Sequence, residues 1–203
     1  MSSDRPSDVP SPAPEQGDLA TETARRGAPL IDALEAHLPG ARRHAEATAA
    51  YAFAAAAELG FERPRAEAIR EAGRLHDVGL VYVPTQILAR PIEALDDSER
   101  GLLDSHLEAA YRLCRGAAID ERVCGWILRT RERYDGAGPE RLRAMEVPIE
   151  SRIIRTACAG DLLLARTSPE ATIAALRAAE GSELDPVVTD AVVAVIERAT
   201  ASS

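Results

Sequence analysis

Apolar residues recur along most of the chain at the three-and-four spacing of an α-helix, and no segment alternates in the two-residue rhythm of a strand. The pattern begins at "APLIDALEAHLPG" and continues through "ARRHAEATAAYAFAAAAELG", where His44, Thr48, Tyr51, Ala55 and Leu59 share one face and Gly60 marks the stop. Pro64 opens a helix that runs to the pair His76–Asp77. "VYVPTQIL" then breaks the texture and predicts an irregular crossover with one helical turn. "DDSERGLLDSHLEAAYRLCRG" predicts a capped helix carrying His106. "DERVCGWILRTRERY" predicts another, stopped by the turn "DGAGP". "IESRIIRTACAGDLLLA", "SPEATIAALRAAEG" and "DPVVTDAVVAVIERA" complete the set. The fold class expected is all-α, a single bundle of about seven helices over residues 28–203. Residues 1–27, rich in Ser, Pro and Asp, bury too little apolar surface to offset their ordering entropy and are expected to form a disordered tail.

Composition sharpens this picture. Hydrophobic residues make up 46% but aromatics only 3%, so the core must be built from Ala, Leu, Ile and Val, which suits closely packed helices. A formal charge of −9 argues against nucleic acid or anionic membrane as a partner. Every basic residue is arginine, which leaves no lysine for acid–base work. Cys114, Cys124 and Cys158 make neither a CxxC pair nor an even disulfide framework. The opening "MSSDRPSDVPSPAPEQGD" lacks the basic-then-apolar layout of a secretory leader, and the apolar runs are too short to span a bilayer. A cytoplasmic protein is the expectation.

The chemistry is concentrated in four histidines. His44, His76 and His106 sit among apolar neighbours, while His37 precedes the "LPG" break. Consecutive residues such as His76 and Asp77 point about 100° apart on a helix, yet both can reach one cation where the helix ends, as Gly79 suggests. Imidazole with carboxylate suits Fe, Mn or Zn. The residues alone leave two readings open: a buried, hydrogen-bonded His–Asp pair, or part of a metal site assembled by the tertiary fold.

Six blocks in order, "HAEATAAYAFAAAAELG", "LHDVGLVYVPTQILARP", "SHLEAAYRLC", "RERYDGAGPE", "VPIESRIIRTACAGDLLLA" and "SPEATIAALRAAEGSELDPVV", resemble the HD-GYP family of HD-domain phosphohydrolases across residues 28–200. The resemblance implies a cyclic di-GMP phosphodiesterase fold with a metal centre, acting in bacterial signalling. It puts His44 on the first histidine ligand, His76 and Asp77 on the HD pair with Asp77 as bridging carboxylate, and His106 on the next histidine. Elsewhere the chain departs from the pattern. Thr130 and Arg131 stand where two adjacent histidines are expected, and Cys158 stands for the last aspartate ligand. Leu80 replaces a lysine, and Gly138–Pro139 lacks the intervening tyrosine. Asp161 falls on an aspartate that is not usually a ligand and reads as a structural hydrogen bond, or as a substitute ligand if its helix shifts.

These departures imply an incomplete centre. A cation about 4 Å from a metal costs about 4 kcal/mol per unit of metal charge at an effective dielectric near 20, so Arg131 argues against a second metal. Its guanidinium either occupies that place and pairs with Asp77, or turns to solvent. If paired, its removal would strand a buried charge at about 3–5 kcal/mol. At the first site, Cys158 has three readings. It closes a tetrahedral set with His44, His76 and Asp77; or it stays a thiol and leaves a position for water; or it is an inert buried residue. The expectation is a single divalent metal (Zn, Mn or Fe) in a catalytically impaired signalling or interaction module with a cyclic dinucleotide or other phosphoester ligand and a protein partner. The alternative is an active single-metal phosphohydrolase, with Asp77 catalytic and Arg131 holding the phosphate. An open cleft at His76 would favour the enzyme, an apolar plug the module.

Overall fold

The computed structural model describes residues 16–201, and those residues are helical with no β-sheet. Helix α1 spans Gln16–His37, α2 Ala41–Glu58 and α3 Arg63–Leu75. A 3-10 turn over Val78–Tyr82 leads to the single turn α4, Thr85–Leu88. Then come α5 (Asp97–Asp104), α6 (His106–Gly116) and α7 (Glu121–Leu128). After a loop, α8 (Ile149–Leu164), α9 (Pro169–Ala178) and α10 (Pro186–Ala201) close the bundle. None of the described helices is long and apolar enough to cross a membrane.

Small residues set how closely the helices approach. Ala45, Ala49, Ala52, Ala55 and Ala56 are all buried on α2. A Cβ at Gly73 of α3 would lie 3.5 Å from both Ala49 Cα and Ala52 Cβ, so the two helices meet nearly backbone to backbone. Ile153, Ile154 and Ala157 of α8 and Val188, Val192 and Ile196 of α10 complete the core. Arg152 is one of several charged residues buried beside that core. It is buried, pairs with buried Asp185, and donates from Nε to Val147 O at 3.0 Å. Asp185 in turn accepts from Val187 N at 2.8 Å, which anchors the start of α10.

A satellite core of Val83, Ile87 and Leu95 holds the excursion around α4 onto the bundle. His37 ties it down, with Nε2 at 2.8 Å from Val83 O. His37 therefore serves the fold and stands apart from the other three histidines.

Three expectations are corrected. Residues 16–27 are helical, not a disordered tail, because Leu19, Thr23, Ile31 and Leu34 recur along one buried face of α1. Gly27 lets that face settle on α3, since a Cβ there would lie 2.8 Å from Leu75 Cδ1. Residues 1–15 of the expected tail lie outside the described residues. The helix expected to carry His106 is two helices, divided at Ser105. Finally, α7 stops at Leu128 and does not reach Tyr134. Beyond it the backbone turns, and buried Glu132 accepts from Glu140 N at 2.6 Å and Leu142 N at 3.1 Å, bracing the following loop from inside.

Candidate metal centre

Four elements bring the polar residues together. His44 comes from the first half of α2, His76 and Asp77 from the end of α3, His106 from the first residue of α6, and Cys158 and Asp161 from α8. Gly79 makes the approach feasible. A Cβ there would fall 1.8 Å from His106 O and 2.6 Å from Ala110 N, so only glycine lets the turn after Asp77 lie against the backbone of α6.

Hydrogen bonds fix how each imidazole faces. His76 Nδ1 lies 2.7 Å from Gly73 O, and His106 Nδ1 lies 2.6 Å from Leu103 O. His44 Nδ1 lies 2.6 Å from Asp161 Oδ2. Carbonyls and carboxylates only accept, so each Nδ1 carries the proton and each Nε2 of a neutral ring presents a lone pair. All three Nε2 atoms point at Asp77: His76 at 3.3 Å, His106 at 3.5 Å and His44 at 3.6 Å. Cys158 Sγ lies 3.6 Å from His44 Nε2.

Such an arrangement is poorly satisfied by protein atoms alone. His76 Nε2 is buried and has no hydrogen-bond partner among the described residues. Burial drives the His76 imidazole toward its neutral form, below its ordinary range. Burial alone would raise the Asp77 carboxyl, but proton charge on the His76, His106 and His44 rings outweighs it and holds Asp77 well below the usual carboxylate range. Where burial keeps a ring neutral that positive charge is missing, so lone pairs and carboxylate together call for a cation in its place.

The spacing fits one. Two N or O donors about 2.1 Å from the same ion at the tetrahedral angle lie about 3.4 Å apart, and an N and a thiolate S lie about 3.6 Å apart. His44, His76 and Cys158 offer ligand atoms within 4.8 Å of one another. Enclosure by the surrounding protein, with the Asp77 and Asp161 carboxylates nearby, pushes the half-buried Cys158 thiol well above its ordinary range, so it stays protonated unless a metal displaces the proton. Asp161 is buried and orients His44, in the manner of a carboxylate that supports a metal-bound histidine.

Of the two readings left open for Arg131, pairing with Asp77 and turning outward, the side chain follows the second. Arg131 does not pair with Asp77; its guanidinium pairs with Asp104 at the end of α5 and is about 37% exposed. The early end of α7 turns Arg131 toward the rim, where an exposed carboxylate is within reach and the guanidinium keeps its hydration. Arg131→Ala is therefore expected to change stability by only about 0–1 kcal/mol, as for other exposed ion pairs, with thermal melts as the check. A loss of 3 kcal/mol or more would restore the buried pairing. Thr130 is buried and donates to Ile127 O at 2.9 Å, so its hydroxyl is also engaged away from Asp77.

Above the centre lies an open cleft of about 660 Å³. His76, Asp77, His106 and Cys158 are at its base, and Leu80, Leu88, Ile92, Leu103 and Leu162 contribute apolar wall. The sequence reading missed Arg155, which also lines it. Nothing in the periodicity of α8 separates that residue from a surface arginine.

Acid should weaken the metal-free fold through His76. A histidine whose folded pKa lies below its unfolded value contributes stability that is present above about pH 6.5 and is lost as pH falls through the folded value. In chelator, Tm should fall from pH 7.5 to 5.5, and less steeply in His76→Gln. Equal slopes would remove His76 as the cause.

Comparisons with known proteins agree with the fold. Residues 29–188 match the model of the HD domain family, which is metal-dependent. A cyclic di-GMP phosphodiesterase response regulator, RpfG of Xanthomonas campestris, is 32% identical over 145 residues, covering 67% of this chain and 38% of its own length. The 3'3'-cGAMP-specific phosphodiesterase 2 of Vibrio cholerae is 33% identical over 142 residues, covering 68% and 27%. This chain thus spans well under half the length of these relatives. Among solved structures, Bd1817, an HD-GYP-type protein from Bdellovibrio bacteriovorus, superimposes with a TM-score of 0.67 at 18% identity, over 77% of this chain and 52% of that one. The HD domain of L. monocytogenes phosphodiesterase PgpH, in complex with cyclic-di-AMP, gives 0.62 at 14% identity, over 84% and 96%. The chain belongs to the HD-domain family, and within it is similar to the HD-GYP phosphodiesterases of cyclic dinucleotides.

Proposed function

We propose that this chain is a cyclic-dinucleotide-recognising module with one divalent metal (Zn, Mn or Fe) and little or no hydrolysis. The metal would be held by His44, His76 and Asp77, with Cys158 as fourth ligand and His106 on the far side of Asp77. The observation that carries the reading is where Thr130 and Arg131 face. Both stand where the resemblance expects a second metal's histidines, and both are bound elsewhere, to Ile127 O and Asp104.

Closed by Cys158, the metal would only brace the fold; with Cys158 kept as a thiol, it would leave a position at which a phosphoryl oxygen could be polarised, and ligand recognition needs that second form. The chain's own residues do the rest. The Nδ1 bonds to Gly73, Leu103 and Asp161 keep the three imidazoles aimed inward without reorganisation. The leucine wall excludes water from one side of the cleft and offers apolar surface to a base. Arg131 and Arg155 give the cleft positive charge beside the centre. The setting would be bacterial signalling, in line with the likeness to a response regulator, and the expected place is the cytoplasm with a protein partner.

A second reading, an active single-metal phosphohydrolase, is favoured by the cleft standing open at His76. Incubation of the purified protein with cyclic di-GMP and Mn²⁺ or Fe²⁺ separates the two. Binding without turnover supports the module. Turnover that vanishes in His76→Ala supports the enzyme and overturns the first reading.

A further inference from the structure

A second cavity of about 990 Å³ lies beside the first, and both are lined by Arg131, Arg155 and Glu183. In a chain of net charge −9, three guanidiniums, Arg131, Arg133 and Arg155, gather around this junction. Glu183 bridges two of them, 2.9 Å from Arg133 Nη1 and 3.0 Å from Arg155 Nη2. Its turn is pinned to the turn bearing Arg133 by Asp135 N donating to Ser182 O at 2.9 Å. The Glu183 side chain is about half exposed, whereas that of Arg155 is mostly buried. Arg155 Nε is buried and donates to no acceptor among the described residues. Burial, with Arg131 and Arg133 nearby, disfavours the charge on Arg155, so an added anion would be welcome there. Arg155 also precedes Cys158 by three residues on α8, on the same side of the helix and about 4.5 Å along its axis.

We propose that Arg155 and Arg131 form an anion subsite that takes a second phosphate of the ligand whose first phosphate lies at the metal centre, and that Glu183 is a built-in competitor for it. A phosphate brings several acceptor oxygens to guanidinium forks that Glu183 and Asp104 satisfy only in part. Glu183, half exposed, can swing to water when the phosphate arrives. The proposal rests on the phosphoester reading of the cleft, and the test keeps the two apart.

Inorganic pyrophosphate is titrated calorimetrically into the full chain in chelator, and cyclic di-GMP into the same proteins with Mn²⁺. Arg155→Met and Arg131→Gln should each weaken pyrophosphate about tenfold, the loss of one charge-assisted contact. Glu183→Gln should tighten it by about threefold or more, whereas Glu180→Gln, an equal change in net charge in the same turn, should not. Arg131 and Glu183 are exposed enough that their variants fold even if Arg155→Met does not. Pyrophosphate affinities equal within twofold across the set, or equal tightening by Glu180→Gln, would overturn the subsite. Cyclic di-GMP binding that ignores all three substitutions overturns the subsite but leaves the phosphoester reading. The pyrophosphate pattern without cyclic di-GMP binding keeps the subsite and overturns that reading.

Discussion

Asp77→Asn should leave the protein essentially metal-free while its fold in chelator at pH 8 stays at least as stable as the wild type. Asp77 is the one anion that all three Nε2 atoms face, at 3.3–3.6 Å. Loss of a supporting residue around a metal costs about 10–100-fold in affinity, and loss of a ligand should cost at least the upper end of that range. The metal-free consequence has the opposite sign. An ionised carboxylate against lone pairs is repulsive, whereas the amide of Asn supplies N–H donors to those same nitrogens, each such bond contributing about 1 kcal/mol. A gain in stability coupled to loss of metal marks a site held in strain for its ligand. Elemental analysis and melts in chelator read the two effects separately. An Asp77→Asn protein that keeps its metal, or that melts well below the wild type in chelator, would mean that Asp77 is a structural partner of His76 only.

Gly79→Ala should be as damaging for a steric reason. The new methyl would sit 1.8 Å from His106 O and 2.6 Å from Ala110 N, both backbone atoms of a packed helix that cannot rotate away. The turn after Asp77 must then lift off α6, separating Asp77 from His106. Overpacking of this kind costs about 1–3 kcal/mol, and a backbone clash this close belongs at or above the upper end. Metal affinity should fall with it. Gly101→Ala is the matched control, because a Cβ there meets nothing within 4 Å. In mid-helix it should stabilise by about 0.5–1 kcal/mol. Equal melting temperatures for the two variants would contradict the close approach.

Helical periodicity made the bundle legible, and the few apolar positions of α1 could have extended it. Leu19, Thr23, Gly27, Ile31 and Leu34 follow one another at three or four residues, but Ser- and Pro-rich flanks hid the pattern. At the site, block order identified His44, His76, Asp77, His106 and Cys158, and the fold brings these five together. What the sequence could not carry was side-chain direction. Whether Arg131 faces Asp77 or Asp104 depends on α7 ending at Leu128 and on where Asp104 lies at the end of α5. Asp161 was legible as a hydrogen-bonding residue, but its partner, His44, lies 117 positions away. Arg155 was missed because its place in the wall of the cleft, not its residue type, distinguishes it from most of the other arginines.

We propose that this centre holds a single metal ion and no second. Elemental analysis of protein purified without a His tag, then titrated with Zn²⁺, Mn²⁺ and Fe²⁺, measures it directly. One tightly held ion per chain, lost in Asp77→Asn, is the predicted result. Two ions per chain, or none at saturating metal, would contradict it.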